Sequence, residues 1–234
     1  VNPTQFAPTE DLAKYPRPIA KDRALCRAEG VDICFEPAAT AMYPDGFETV
    51  VTVPEIARRW EGEIRPHHFA GVATVVTKLF GIVRPDVAVF GQKDFQQAAL
   101  VRRVIEDLSL GVKLVVHPTV RERDGLAMSS RNVYLSAAER SLAPLLYKAL
   151  SAGATAIRAG MRVEAEIQAL MRAAIGRQTP ASIDYLAACD PDTLERWDGK
   201  GPRVVLLGAL RLGSVRLIDN LIVTAPKRAA RTKP

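Results

Sequence analysis

Residues 82–97 read IVRPDVAVFGQKDFQQ, and this stretch decides the fold. Val87 to Phe90 is a continuous apolar run, the kind buried on both faces of a parallel sheet. Gly91-Gln92-Lys93-Asp94 turns the chain, and Asp94 is placed to cap a helix running to Leu108. Upstream, apolar residues at 69, 72, 75, 76, 79, 80 and 83 form a helical stripe over Phe69 to Val83. Downstream, Val112 to Val116 reads as the next strand. Further out, Asp22 to Glu29 reads as a helix closed by Gly30, Val31 to Phe35 as a short apolar strand, and Pro54 to Glu61 as a short helix with Pro at its start. Strands alternating with helices predict a doubly wound α/β domain up to about Val120. Ligands of open α/β sheets sit at the carboxyl ends of strands, and a helix N-terminus favours anions. Lys93 is therefore placed to meet a phosphate, the plain alternative being a solvated Lys in a tight turn. One of Gln96 and Gln97 should point back into the cleft, because neighbours on a helix diverge by about 100°.

The second half has a different rhythm. Ser136 and Glu139 form a capping box for a long helix ending near Gly160. A helix over Val163 to Ile175 follows, then strand-like segments at Ser182 to Ala188, Arg203 to Leu210 and Val215 to Val223. This pattern predicts a smaller α+β domain, joined to the first through a hinge near 119–124. The join contains TVRERDGLAMSSRN, residues 119–132. Two adjacent hydroxyls and a guanidinium, on a loop loosened by Gly125, suit a mobile clamp on phosphate oxygens. A polar surface turn with an N-capping Ser is the competing reading of those residues alone.

Composition narrows the classes. The 234 residues allow one large domain or two small ones, and 48% hydrophobic with 25% charged residues is an ordinary globular balance. No apolar run reaches the length needed to span a bilayer, and no signal pattern opens the chain, so a cytoplasmic protein is expected. Cys26, Cys34 and Cys189 show neither a disulfide framework nor zinc spacing, and buried reduced thiols are expected. The net charge of +6 fits an anionic small substrate such as ATP better than nucleic acid, because the charges are scattered and aromatics make up only 6%. Part of that charge lies in Lys227, Arg228, Arg231 and Lys233, read with the rest of 225–234 as a disordered basic tail. Near the start, Asn2-Pro3-Thr4-Gln5-Phe6 offers amides suited to a small polar substrate, or is a plain terminal turn. Adjacent His67 and His68 do not converge on a metal, and His68 is expected as a packed, hydrogen-bonded residue. Glu61 and Arg65, four apart, could pair or face a substrate.

Six segments together resemble one family, pantothenate synthetase or pantoate–β-alanine ligase. They are VNPTQF at 1–6, AMYPDG at 41–46, RPHHFAGVATVVTKLF at 65–80, IVRPDVAVFGQKDFQQ at 82–97, PTVRERDGLAMSSRNVYL at 118–135 and RLIDN at 216–220. The resemblance implies a Rossmann-like (HUP-type) α/β domain over 1–120 and a C-terminal α+β domain with a phosphate-gripping loop over 121–224. It implies an AMP-forming ligation with ATP and Mg²⁺, in which pantoate is activated as pantoyl adenylate and then captured by β-alanine to give pantothenate, the coenzyme A precursor. It also implies a homodimer, with neither nucleic acid nor membrane as a partner.

By the same resemblance, Gln5 and Gln97 would hold pantoate with Asn2 beside them. Gly91, Lys93 and Asp94 would contact ATP, Lys93 on phosphate and Asp94 nearer the ribose. Val120 would sit against adenine, and Met128, Ser129, Ser130 and Arg131 would grip the triphosphate. Lys93, Ser129, Ser130 and Arg131 would carry the catalysis. Glu61 and Arg65 would border the site, at β-alanine or pyrophosphate, and no side chain is assigned to a metal. Two departures stand out. Gln92 replaces the Glu of the usual FGEKD pattern, and no HxGH-type motif occurs in the chain. Family members carry that motif upstream of VNPTQF on a βαβ-scale unit of roughly 30 residues or more. Without it, impaired activity, exposed apolar surface and unpaired strand edges are expected. Two other readings remain open: a non-catalytic remnant, and an adenylyl-transfer relative acting on another small carboxylic acid.

Overall fold

A computed structural model describes residues 1–8, 12–176 and 180–227. The basic tail from Arg228 onward lies outside those residues. The helices are α1 (Ile19–Ala28), α2 (Ala39–Met42), α3 (Pro54–Ala57), α4 (Glu61–Ile64), α5 (His68–Val83), α6 (Phe95–Asp107), α7 (Ala137–Leu142), α8 (Leu145–Arg158) and α9 (Glu164–Ile175). The strands are β1 (Val87–Gly91), β2 (Lys113–His117), β3 (Ser182–Cys189), β4 (Arg203–Leu212) and β5 (Val215–Thr224). The chain divides into two compact units, one formed by 1–88 with 100–113, the other by 89–99 with 114–234.

In the first unit α5 bears the predicted stripe. Phe69, Val72, Val76 and Phe80 are buried while Val83 is exposed. The N-terminal 3-10 turn Pro3–Gln5 lies directly on α5 at Gly71, where a Cβ would come within 2.5 Å of the Thr4 carbonyl oxygen. Only glycine permits that approach. The helix expected over 54–61 is broken into α3 and α4, because Trp60 takes a positive φ of 49° between them. Residues 31–35 form no strand, and Val31, Ile33 and Phe35 stay exposed. Cys26 and Cys34 are half-buried and exposed, against the expectation of buried thiols, whereas Cys189 is buried.

β1 and β2 pair in a two-stranded parallel sheet, joined through α6, so the α/β alternation read from 82–97 is present. β1 is not covered on both faces: its burial alternates, with Val87 and Val89 49% and 65% exposed. Val87 and Val89 lie two apart and so share one face of β1, and that face stays largely uncovered. Asp94 lies within a 3-10 turn, Gln92–Asp94, that runs straight into α6.

The second unit is built on the antiparallel sheet β3-β4-β5. β4 lies in the middle and is buried along most of its length. Leu146, Leu150 and Ile157 of α8, with Ile167 and Met171 of α9, pack with Leu186, Leu206 and Leu210 into one core. The capping box forms as read: Ser136 Oγ accepts from Glu139 N at 3.3 Å, and Glu139 Oε2 accepts from Ser136 N at 2.8 Å. The helix it starts is short. Pro144, which has no N–H to offer the preceding turn, separates α7 from α8.

Candidate functional site

The second unit gathers two motifs far apart in sequence onto adjacent residues of β5. Asn220 is 1% exposed. Its amide Nδ2 donates to the carbonyls of Gln92 and Lys93 at 2.8 and 3.0 Å, and its Oδ1 accepts from Gln92 Nε2 at 3.0 Å. The strand-to-helix turn bearing Gly91, Lys93 and Asp94 is thus held from below by one buried amide. Lys93 is half-buried and Asp94 exposed. At the start of α6, Gln96 is 4% exposed and Gln97 is half-buried. Gln92, the departure from the usual pattern, uses its extra donor on Asn220, which a carboxylate could not do.

Asp219, the preceding residue, anchors the second motif. Its carboxylate accepts two bonds from Arg121, at 2.6 and 2.9 Å, and its side chain is 3% exposed. Arg121 also donates to the Gly125 carbonyl at 3.0 Å and stacks 4.2 Å above the Tyr147 ring. Around that anchor residues 120–128 form a small closed hairpin. Met128 N donates to Val120 O and Glu122 N to Leu126 O, with Arg121 bridged to Ala127. Gly125 turns it at φ +94°, and a Cβ there would overlap the Tyr147 ring. Gly125 is therefore a packed turn residue and not a loosening element. Arg140 binds both Glu122 and Asp124, and its hydrogen bond, with that of Leu126 N, holds the Asp124 carboxyl below its ordinary range.

Arg121 and Asp124 thus belong to the scaffold and not to a phosphate clamp. What the hairpin presents is Val120 and Met128, 54% and 56% exposed, followed by exposed Ser130 between half-buried Ser129 and Arg131. Ser129 Oγ accepts from Arg131 N at 3.3 Å and starts a 3-10 turn over Ser130–Tyr134. Capping by Ser129 and exposure of the neighbouring Ser130 coexist here. Two buried oxygens bracket the loop, Thr119 Oγ1 and Asn132 Oδ1, and neither has a partner among the described residues.

The first unit organises a separate set. Asn2 Nδ2 donates to Gly71 O at 3.1 Å and to Gln5 Oε1 at 3.2 Å. Asn2 Oδ1 accepts from Tyr43 Oη at 2.7 Å and Thr4 Oγ1 at 3.0 Å. Arg65 Nη2 donates to Gln5 O at 3.3 Å, and His68 Nδ1 contacts the same oxygen at 3.0 Å. A carbonyl only accepts, so His68 carries its proton on Nδ1. This is the packed, hydrogen-bonded role expected of His68. Glu61 is buried, and its carbonyl accepts from Arg65 N at 2.8 Å. Asn2, Gln5 and Arg65 therefore form one network, with Tyr43 as a member the sequence reading missed. Asp219 was missed likewise. An acid and an amide inside the apolar strand VRLIDNLIV were the available signal, because buried polar groups require partners.

The family model for pantoate-beta-alanine ligase matches residues 1–222. The pantothenate synthetase of Syntrophotalea carbinolica is 53% identical over 220 residues, 94% of this chain and 78% of that protein. That of Chloroflexus aggregans is 49% identical over 224 residues, 95% of this chain and 81% of its own length. The crystal structure of pantothenate synthetase from Thermus thermophilus superposes with a TM-score of 0.90 at 47% identity, over 94% of this chain and 80% of that one. The Francisella tularensis ligase, solved with beta-gamma ATP and beta-alanine, gives 0.73 at 31% identity, over 95% of this chain and 76% of that one. The HUP-type α/β fold is thereby shared with solved enzymes at high identity. From residue 1 to residue 222, this chain belongs to the pantoate–β-alanine ligase family.

Proposed function

We propose that the chain makes pantothenate from pantoate and β-alanine with ATP, through pantoyl adenylate. The ligation itself follows from family membership. The observation that carries the two-step reading is the double anchor on β5, with Asn220 on the Lys93 turn and Asp219 on the hairpin bearing Ser129–Arg131. It fixes a phosphate-seeking ammonium and a hydroxyl–guanidinium edge to one rigid strand. A carboxylate is a poor electrophile until its oxygen becomes a leaving group. A pantoate carboxylate oxygen attacks the α-phosphorus, the bond to the β-phosphate bridge breaks, and pyrophosphate leaves. The β-alanine amine then attacks the acyl carbon, loses a proton and expels AMP.

In this reading Lys93, Ser129, Ser130 and Arg131 neutralise the phosphates. Gly91 lets the backbone approach the nucleotide, Asp94 serves the ribose, and Val120 with Met128 flanks the adenine. Gln5 and Gln97 hold pantoate, and Asn2 acts by fixing Gln5. Glu61 and Arg65 border β-alanine or pyrophosphate. Among the described residues no cluster of three His, Cys, Asp or Glu side chains could hold a metal. Mg²⁺ would be carried chiefly by the triphosphate, where it would offset developing charge. The sequence spans 1–120 and 121–224 would serve as the nucleotide-and-pantoate and loop-bearing domains of a cytoplasmic homodimer. No helix among the described residues is long and apolar enough to cross a membrane.

The 234-residue chain assayed by itself turns over slowly, because it contains no HxGH-type motif. Supplying it with ATP, pantoate and β-alanine while following AMP tests both statements. Robust turnover would show those histidines dispensable. Pantoate binding without AMP release would favour the non-catalytic reading. Equal use of unrelated hydroxy acids would favour a different carboxylic substrate.

A further inference from the structure

Away from these residues, the first unit holds two thiols on facing segments. Arg23 and Cys26 sit three apart on one face of α1. The chain reverses after the helix, where Val31 N donates to Cys26 O at 2.9 Å. It then returns along α1, because Glu36 accepts from Arg23 Nε and Nη2 at 3.0 and 2.6 Å. These two ties, 26 to 31 and 23 to 36, set helix and return segment antiparallel. Cys34 lies between them on the side of Glu36, and its Sγ donates to Glu36 Oε1 at 3.1 Å. Its pKa is pushed up to about 11, first by that hydrogen bond, then by desolvation and the Glu36 charge, and further by the neighbouring Cys26 thiol. Cys34 is exposed and Cys26 half-buried.

We propose that Cys26 and Cys34 form a redox modification site, a dithiol that a small-molecule disulfide converts to an intrachain disulfide. One protein thiolate attacks a sulfur of the small disulfide, releasing one small thiol and leaving a mixed disulfide. The second thiolate attacks the protein sulfur of that mixed disulfide and releases the second small thiol. The protein dithiol loses two electrons and two protons, and the small disulfide gains them. Glu36 restrains the reaction by keeping Cys34 protonated, while Arg23 from α1 offsets the carboxylate charge. Oxidation therefore accelerates as pH rises.

The test treats the full chain with glutathione disulfide at pH 8, blocks the remaining thiols, buried Cys189 included, with a maleimide in denaturant, and digests with trypsin without reduction. Arg27 lies between the two cysteines, so they fall on different peptides, 24–27 and 28–58. The expected product is those two peptides linked, with two of the three cysteines protected from the maleimide. Cys26→Ser and Cys34→Ser should each retain glutathione as a stable mixed disulfide, and Glu36→Gln should speed closure several-fold. Independent glutathionylation of both cysteines in the unsubstituted chain, a link to Cys189, or no thiol loss would each overturn the proposal.

Discussion

Removing the Asp219 carboxylate tests whether β5 anchors the loop. Asp219→Ala leaves the Arg121 guanidinium, 17% exposed, without its bidentate acceptor. Losing one partner of a buried pair costs about 3–5 kcal/mol, because the other charge stays desolvated. Arg121 keeps the carbonyls of Gly125 and Asn220 at 3.0 and 3.3 Å, which places the cost near the lower end. Asn220 N also loses its 2.7 Å bond to Asp219 Oδ1, adding about 1 kcal/mol. The sum is about 4 kcal/mol. With a urea m-value of about 2 kcal/mol per molar, the far-UV transition should move down by about 2 M. Arg121→Met with Asp219→Leu removes both charges at similar volume and should recover most of that loss. Lys200→Ala, which breaks an exposed pair with Asp198, should leave the midpoint in place. An Asp219→Ala midpoint shifted no more than that of Lys200→Ala, or a double variant as weak as the single one, would show that Asp219 does not anchor the loop.

Other outcomes follow from the same contacts. Asn220→Ala frees the carbonyls of Gln92 and Lys93, and a displacement of the Lys93 turn by about 1 Å should slow adenylate formation by about 100-fold, read by pyrophosphate release. Lys93→Ala should cut adenylate formation sharply with the fold intact by circular dichroism, and near-normal activity would remove Lys93 from the catalytic set. Gly125→Ala forces a methyl into the Tyr147 ring at positive φ and should cost about 1–3 kcal/mol in a urea titration. Glu36 has a pKa lowered to about 2, chiefly by the Arg23 hydrogen bond, from an ordinary 4.5. The unfolded chain binds that proton more readily, so stability should fall as pH drops from about 4.5 toward 2, and Glu36→Gln should flatten that slope.

Some parts of the molecule are legible in the sequence, and others are hidden for physical reasons. The α5 stripe, the β1–turn–α6 passage and the capping box rest on local periodicity and short-range hydrogen bonds, so 82–97 and 136–139 can be read directly. Helix breaks at Trp60 and Pro144 depend on one residue's backbone, and a window of apolar periodicity averages over them. The burial of β1 depends on what packs on the two faces of its sheet, which no local pattern reports. In the loop at 119–132 the residues Ser129–Arg131 stand out in the sequence as a hydroxyl–guanidinium run, but the loop's other charges mislead. Arg121 and Asp124 find their partners at Asp219 and Arg140, and such pairings are set by tertiary packing. Asp219 and Asn220 are visible only as polar residues in an apolar strand, and their roles emerge once register places them under the two motifs.

Activation of pantoate as an adenylate is tested most directly on the purified chain with ATP and β-alanine, with and without pantoate carrying ¹⁸O in its carboxylate. Slow, pantoate-dependent formation of AMP and pyrophosphate is expected, with ¹⁸O appearing in the AMP phosphate. ADP as the product, or AMP released at the same rate without pantoate, would contradict it.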